Sequence, residues 1–284
     1  MIIEIITDGG SSFGLGHLRR SATLSWRLKE SGYRARVTKA TKKDIGLLGE
    51  VPKDHGVPDI VVIDLPYRGD QWVIQLKKVG IKSIGLDYMG EVAPDALINI
   101  VERNAAPNCP IRYTGLEFAI IREDITKLSP AETGSGIIVC IGAGDQLGTG
   151  SGIAEELGTE TDDVTLIEGP LTKKNVTEGK RYQLIRNPKD LAVRFSKCHW
   201  AVTNGGASMM EMMCLGKAVY VMPQTRRELK LAHLILSRDG ILGVGEQKFF
   251  HPNLKQIEKV SKIALKLVDG RGTDRIIEVI ENLN

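Results

Sequence analysis

Short runs of β-branched and aliphatic residues alternate with helical stretches along the whole chain, and the alternation breaks only once. In the first half the runs fall at 2–7, 35–38, 60–65, 83–86 and 97–100, with another apolar run at 118–121. A strand that is followed by a helix and then by another strand returns to the same edge, so this pattern predicts parallel sheets covered on both faces. The segment 126–136, ThrLysLeuSerProAlaGluThrGlySerGly, is the richest in breakers and small polar residues and marks a domain boundary. Runs then resume at 137–141, 164–167, 182–185, 200–203 and 218–222. At 284 residues the chain exceeds what one core usually organises. The expectation is an α/β protein of two Rossmann-like, doubly wound parallel-sheet domains, 1–128 and 129–270. A closing helix at 271–284 follows, and its return to the first domain is left open. Leu254, Ile257, Val260, Ala264 and Leu267 recur at helical spacing, as do Ile276, Ile277, Ile280 and Leu283.

Composition removes several classes of function. Lys plus Arg exceed Asp plus Glu by 38 minus 35, and a net charge of +3 is too small to imply a nucleic-acid surface. No apolar run approaches the ~20 residues of a membrane helix. The start, MIIEIITDGG, lacks the charged region and long apolar stretch of a secretion signal, which predicts a cytoplasmic protein. Cys109, Cys140, Cys198 and Cys214 form no CxxC pair and have no histidine at metal-ligand spacing, so they read as buried thiols with no metal.

Ligands of parallel sheets bind beyond the carboxyl ends of the strands, and three loops there carry the chemistry. The first runs from Asp8 through Gly14 and Gly16 to Arg20. It closes with neither the Gly-Lys-Ser/Thr of a phosphate loop nor a complete dinucleotide fingerprint, since Arg19 stands where the last glycine belongs. His17 sits where this loop becomes a helix over 18–30, with Arg20 one turn on along the same face. The positive helix end and the guanidinium disfavour imidazolium and leave a neutral ring suited to a general base. The plainer alternative is a histidine that caps the helix. Asp8 either orients the imidazole or bonds a substrate hydroxyl. Arg20 is either a surface charge or a substrate contact.

The second loop, 142–152, presents Gly142, Gly144 and Asp145 to phosphate oxygens. A competing reading sees a damaged dinucleotide fingerprint, with Leu147 in a glycine position and Glu168 as the ribose acid. The third loop, 204–216, follows a strand with Asn204, Gly205 and Gly206. The amides of Ala207, Ser208 and Met209 then form an anion pocket at a helix start. Ser208 and Glu211 have capping-box spacing; alternatively, Glu211 accepts hydrogen bonds from both ribose hydroxyls. Met209, Met210, Met212 and Met213 read as core.

With these loops in place, the chain resembles, nearly end to end, the nucleotide-sugar hydrolases of the pseudaminic acid pathway and their spore-coat polysaccharide relatives. The resemblance rests on Asp8 with Gly14, Gly16, His17 and Arg20; on Asp64 with Tyr67 and Trp72; and on Asp87 with Asp95. TyrThrGlyLeuGluPheAlaIleIleArg from Tyr113 and AsnGlyGlyAlaSer with Glu211 and Gly216 complete it. The third loop is also similar to the donor-sugar site of the lipid-intermediate N-acetylglucosaminyltransferase of cell-wall synthesis. The resemblance implies a GT-B architecture and a UDP-linked amino sugar held between the halves. It also implies hydrolysis at the anomeric carbon by water that His17 activates, with neither cofactor nor metal. Gly14, Gly16, Arg20, Asp64, Tyr67 and Asp87 would contact the substrate. Gly142, Gly144, Asp145, Asn204, Gly205, Gly206, Ala207, Ser208 and Glu211 would hold the nucleotide. The chain departs from the family where an Asn-Gln pair follows the penultimate strand, for Arg227 and Glu228 stand there. Glycosyl transfer and nucleotide-sugar sensing without turnover remain the alternatives.

Overall fold

The computed structural model describes residues 1–9, 15–40, 56–145, 147–161, 163–172, 181–245 and 251–283, so Gly14 lies outside the described residues. The chain divides into two units, 1–120 with 271–284, and 121–270. The change of unit therefore falls at Ile120, ahead of the breaker-rich 126–136 stretch, and the last helix belongs to the first unit.

Unit 1 contains β1 (Ile2–Thr7), α1 (Gly16–Glu30), β2 (Arg34–Lys39), β3 (Ile60–Asp64), α2 (Asp70–Lys78), β4 (Lys82–Leu86), β5 (Ala96–Asn99) and β6 (Ile111–Thr114). They form one parallel sheet in the order β2-β1-β3-β4-β5-β6. Alternate residues face opposite sides of a strand, and both sides here are apolar. Ile3, Ile5, Val62, Ile84 and Ile98 pack with Leu24 and Leu28 of α1, whereas Ile6, Ile63 and Leu97 pack with Trp72, Val73 and Leu76 of α2. Strand β6 carries no apolar run and lies mostly exposed at the sheet edge, which is why hydrophobic pattern does not reveal it. The apolar 118–121 run is instead the end of a 3-10 turn, Leu116–Phe118, followed by irregular chain.

The last helix, Gly272–Leu283, adds Ile276, Ile277, Val279 and Ile280 to the first of these cores. Arg275 donates to the Glu117 carbonyl at 2.8 Å, and Arg27 of α1 donates to Asp274 at 2.9 Å.

Unit 2 opens with α3 (Glu123–Thr126), β7 (Ile137–Cys140), α4 (Gly150–Leu157), β8 (Val164–Glu168) and β9 (Gln183–Arg186). It continues with α5 (Leu191–Lys197), β10 (Trp200–Thr203), α6 (Ala207–Cys214), β11 (Ala218–Val221) and α7 (Arg226–Leu236). The two-residue β12 (Gly243–Val244) and α8 (Leu254–Leu267) complete it, leaving Gly272–Leu283 as α9. The strand order is β12-β11-β10-β7-β8-β9, again all parallel. Met209, Met210, Met212 and Met213 are all buried, as core residues should be, and the four cysteines are buried free thiols. Among the described residues no helix is long and apolar enough to cross a membrane.

Each sheet has a point where the chain reverses its direction of growth. In unit 1 it falls between β1 and β3, whose last residues Thr7 and Asp64 are register partners. In unit 2 it falls between β7 and β10, where Cys140 partners Thr203. Connections leaving such a pair of strands diverge to opposite faces and leave a crevice at the carboxyl ends. The first and third loops, and the start of the second, leave these strands. Ile280 is fully buried in the unit 1 core, so Ile280→Ala should cost about 2–5 kcal/mol of stability, measured by urea unfolding. A change within error would mean that α9 does not contribute to that core.

Candidate active site

In α1 the residues facing the sheet form a stripe, His17, Ser21, Leu24, Ser25 and Leu28, all buried. The stripe is apolar toward the helix end and polar at its start, so the polar part lies over the carboxyl ends of β1 and β3. There Nδ1 of His17 lies 2.7 Å from Oδ1 of Asp64, the last residue of β3. Arg20, one turn on, donates from Nε to both Asp64 oxygens at 2.9 and 3.0 Å, from Nη1 to Asp87 at 2.6 Å, and from Nη2 to Asp64. Ser21 donates its hydroxyl to Asp64 at 2.8 Å. Asp87 directly follows β4 in the left-handed region, φ 47°, and accepts from the Ile100 amide at 3.1 Å. Nη2 of Arg103 stands 3.9 Å from it.

Asp64 is wholly buried. Burial alone would raise its pKa, but the charge of Arg20 and the hydrogen bonds from His17 and Arg20 outweigh that and hold it below the ordinary carboxylate value. Burial likewise works against the Arg20 charge, and Asp64 and Asp87 more than restore it. An ionised Asp64 calls for a donor at Nδ1 of His17, which leaves the lone pair of the neutral ring on Nε2. Nε2 has no hydrogen-bond partner among the described residues.

This geometry bears on three of the expectations. The imidazole is oriented by Asp64, not by Asp8, which accepts from the Tyr67 hydroxyl at 2.9 Å and from the Gly9 amide at 2.8 Å. Burial and Asp8 together push the Tyr67 hydroxyl up to about 12. Asp64 is fully enclosed, and its donors come from α1. Arg20 is not a surface charge, because it spans two buried carboxylates. Gly16 begins α1 beside His17.

In unit 2 the second loop is closed from within. Oδ2 of Asp145 accepts from the Gly150 amide at 2.6 Å and so caps the start of α4, where a phosphate was expected. A Cβ on Gly169 would stand 2.4 Å from the Ala143 carbonyl oxygen, so the turn after β8 lies directly on the glycine turn after β7. Glu168 is bound by Arg186 at 2.9 Å. Gly142 lies against the Asn204 side chain, and Gly144 against Leu171.

The third loop is different. Helix α6 starts after Gly206 with no side chain capping it. Ser208 lies inside its first turn and Glu211 further on, so the capping box is absent. Both oxygens of Glu211 are instead met by Arg122, at 2.8 Å from Nε and 3.2 Å from Nη2. Asn204 donates to Glu228 at 2.7 Å, and the other Glu228 oxygen accepts from the Gln224 amide at 2.7 Å. Gln224 in turn accepts from the Leu147 amide at 3.2 Å, which ties all the loops of this edge together. A Cβ on Gly205 would meet Cβ of Glu228 at 2.8 Å and its carbonyl oxygen at 2.9 Å, so only glycine lets α7 approach this turn.

Sequence reasoning gave no role to Arg103 or Gln224, included Arg122 only as the end of the segment from Tyr113, and left open whether Asp8 orients His17. The available signal was that IleValValIleAsp and IleGlyLeuAsp both end a strand on an acid, at the edge that His17 and Arg20 must cover.

No family model matches the sequence, and no curated protein does. Solved structures do match in fold. MurG of Acinetobacter baumannii is 12% identical, with 99% of this chain and 100% of that chain covered and a TM-score of 0.64. The glycotransferase of kitacinnamycin is 13% identical over 99% and 98%, with a TM-score of 0.68. The MnaA–UDP co-structure from S. aureus is 12% identical over 100% and 97%, with a TM-score of 0.59. The chain therefore has the two-domain α/β fold of GT-B proteins, with a six-stranded parallel sheet in each unit.

Because folding depresses the Asp64 pKa, its contribution is complete above the ordinary carboxylate value and is lost as the pH falls below about 4. Asp64→Asn should cost about 3–5 kcal/mol at neutral pH and flatten the acid limb of the stability curve. Unfolding profiles of the two proteins from pH 3 to 7 that run parallel would refute this account.

Proposed function

We propose that the protein hydrolyses a nucleotide-linked sugar, with the nucleoside diphosphate held by unit 2 and His17 of unit 1 as general base. The observation that carries the reading is the His17–Asp64–Arg20–Asp87 cluster. A buried carboxylate fixes one imidazole nitrogen and leaves the other as a base, an arrangement costly to bury and of no use to packing alone. In unit 2 the uncapped α6 start offers amides and a positive helix end to a diphosphate, with Glu211 one turn further on for ribose hydroxyls. One protein of similar fold was solved with UDP, and others bear glycosyltransferase names, which supports a nucleotide sugar as the substrate class.

In this reading Nε2 of His17 takes a proton from water as the water oxygen bonds to the anomeric carbon. The carbon–oxygen bond to the diphosphate breaks, and its electron pair leaves with the nucleoside diphosphate. Amides at the α6 start stabilise that charge. Asp64 stabilises the imidazolium that forms, and Arg20 stays with the two carboxylates throughout. Glycosyl transfer is the second reading, in which the same base deprotonates an acceptor hydroxyl; the glycotransferase name of one matched structure favours it.

Incubation with UDP-linked amino sugars in 18O-water tests the proposal. Hydrolysis at carbon places the label in the free sugar, whereas label in phosphate or absence of turnover rejects it. His17→Asn should lower kcat by at least about 100-fold while UDP still raises the melting temperature. If that variant keeps the wild-type rate, His17 is not the base.

A further inference from the structure

In unit 2 the carboxyl ends of β7 and β8 enclose a cavity of about 10 Å³, room for one occupant the size of a water molecule. Glu168 ends β8 and Asp145 lies in the loop after β7, and both acids line that cavity together with Gly142, Gly150, Ser151 and Thr172. Glu168 is 7% exposed. Its Oε2 is met by Nε of Arg186 at 2.9 Å, whereas its Oε1 is buried and meets no donor among the described residues. Asp145 accepts from neutral groups there, the Gly150 amide at 2.6 Å and the Thr149 hydroxyl at 3.4 Å. One guanidinium, on a side chain that is 56% exposed, thus stands against two carboxylates. Leaving an enclosed carboxylate oxygen with neither donor nor compensating charge is unfavourable, and the cavity is where a partner for it would sit.

We propose that this cavity binds a dehydrated monovalent cation of about the radius of water, potassium being the ion of that size, held by Oε1 of Glu168 and the neutral oxygens around it. Water would satisfy the hydrogen-bonding capacity of Oε1 and leave the excess negative charge in place, whereas a cation answers both. A divalent ion does not fit, because magnesium keeps several of its waters and calcium takes about six to eight oxygen ligands. Among the described residues there is also no group of three or more acidic, histidine or cysteine side chains that could hold a metal. Potassium needs no such group, since hydroxyl and carbonyl oxygens can replace its hydration shell. The cation would join three elements at one point: the turn after β7, the turn after β8 that lies on it, and the start of α4, whose first residues Gly150 and Ser151 line the same cavity. The proposal does not rest on the reaction assigned to His17.

Thermal unfolding of the full chain tests this at constant ionic strength, with potassium chloride replacing tetramethylammonium chloride stepwise, since the larger cation cannot enter the cavity. Wild type should melt at least about 3 °C higher in potassium, along a curve that saturates as a single site fills. Glu168→Gln keeps an oxygen and removes the charge, and it should lose most of that shift. Equal melting temperatures of wild type in the two salts overturn the proposal and assign the cavity to water. A Glu168→Gln protein that retains the whole potassium shift overturns it too, because the ion then binds elsewhere. If Glu168→Gln does not fold, wild-type crystals soaked in rubidium chloride decide the matter: an anomalous peak beside Oε1 of Glu168 is expected, and a map without one there refutes the site.

Discussion

Asp64 has no contact with water, and the organisation of unit 1 around its sheet edge follows from satisfying it. A carboxylate enclosed at the end of a parallel strand needs a cation and several donors, and α1 provides them from successive positions on one face, His17, Arg20 and Ser21. The guanidinium that answers Asp64 then needs a second carboxylate to use its remaining donors, and Asp87 meets it at the end of the adjacent strand β4. This chain of requirements fixes the imidazole as firmly as it fixes the helix start. The geometry of the cluster and the local stability are thus one network, and a change made to one member is felt by the others.

Unit 2 handles its acids differently, and each device leaves a different surface behind. Asp145 turns inward and accepts from the first amide of α4. Glu211 is held by Arg122, and Glu228 by an amide side chain and a backbone amide. Helix α6 is left without a side-chain cap, beside a glycine pair that cannot carry a side chain at Gly205 without displacing α7. Of the two helix starts that the glycine-rich loops suggest, α4 has its first amide taken by Asp145, whereas α6 has no side-chain cap among the described residues.

Much of the fold was legible in the sequence because strand runs such as IleIleGluIleIleThr and TrpAlaValThr are fully apolar on at least one face and are bounded by glycine-rich turns. The edge strands β6 and β12 were not, since one is mostly exposed and the other spans only Gly243–Val244, too short to show a period. The unit boundary was placed too late because breaker density marks irregular chain, and 126–136 is irregular chain already inside unit 2. At the site, spacing within one helix correctly joined His17 to Arg20. It could not find Asp64, whose approach depends on which strands are neighbours and not on distance along the chain. The same limit hid Arg122, which lies 89 positions from its partner.

Arg227 and Glu228 stand where the resembled family carries an Asn-Gln pair, and they differ in burial. Arg227 is exposed, so position 228 is the one that bears on the loop edge. Among the described residues the Glu228 carboxylate is met by neutral donors, from Asn204 and from the Gln224 backbone, whereas Glu211 is met by a guanidinium. It lies near Gly206, where an added Cβ would come within 3.6 Å of Oε1. A neutral glutamine would still accept one of these hydrogen bonds, but it could not accept both. The acid thus ties α7 to the Asn204 turn more completely, while placing a negative charge beside the helix start that holds the diphosphate in the proposed reading. In that reading the α6 amides must outweigh the added charge.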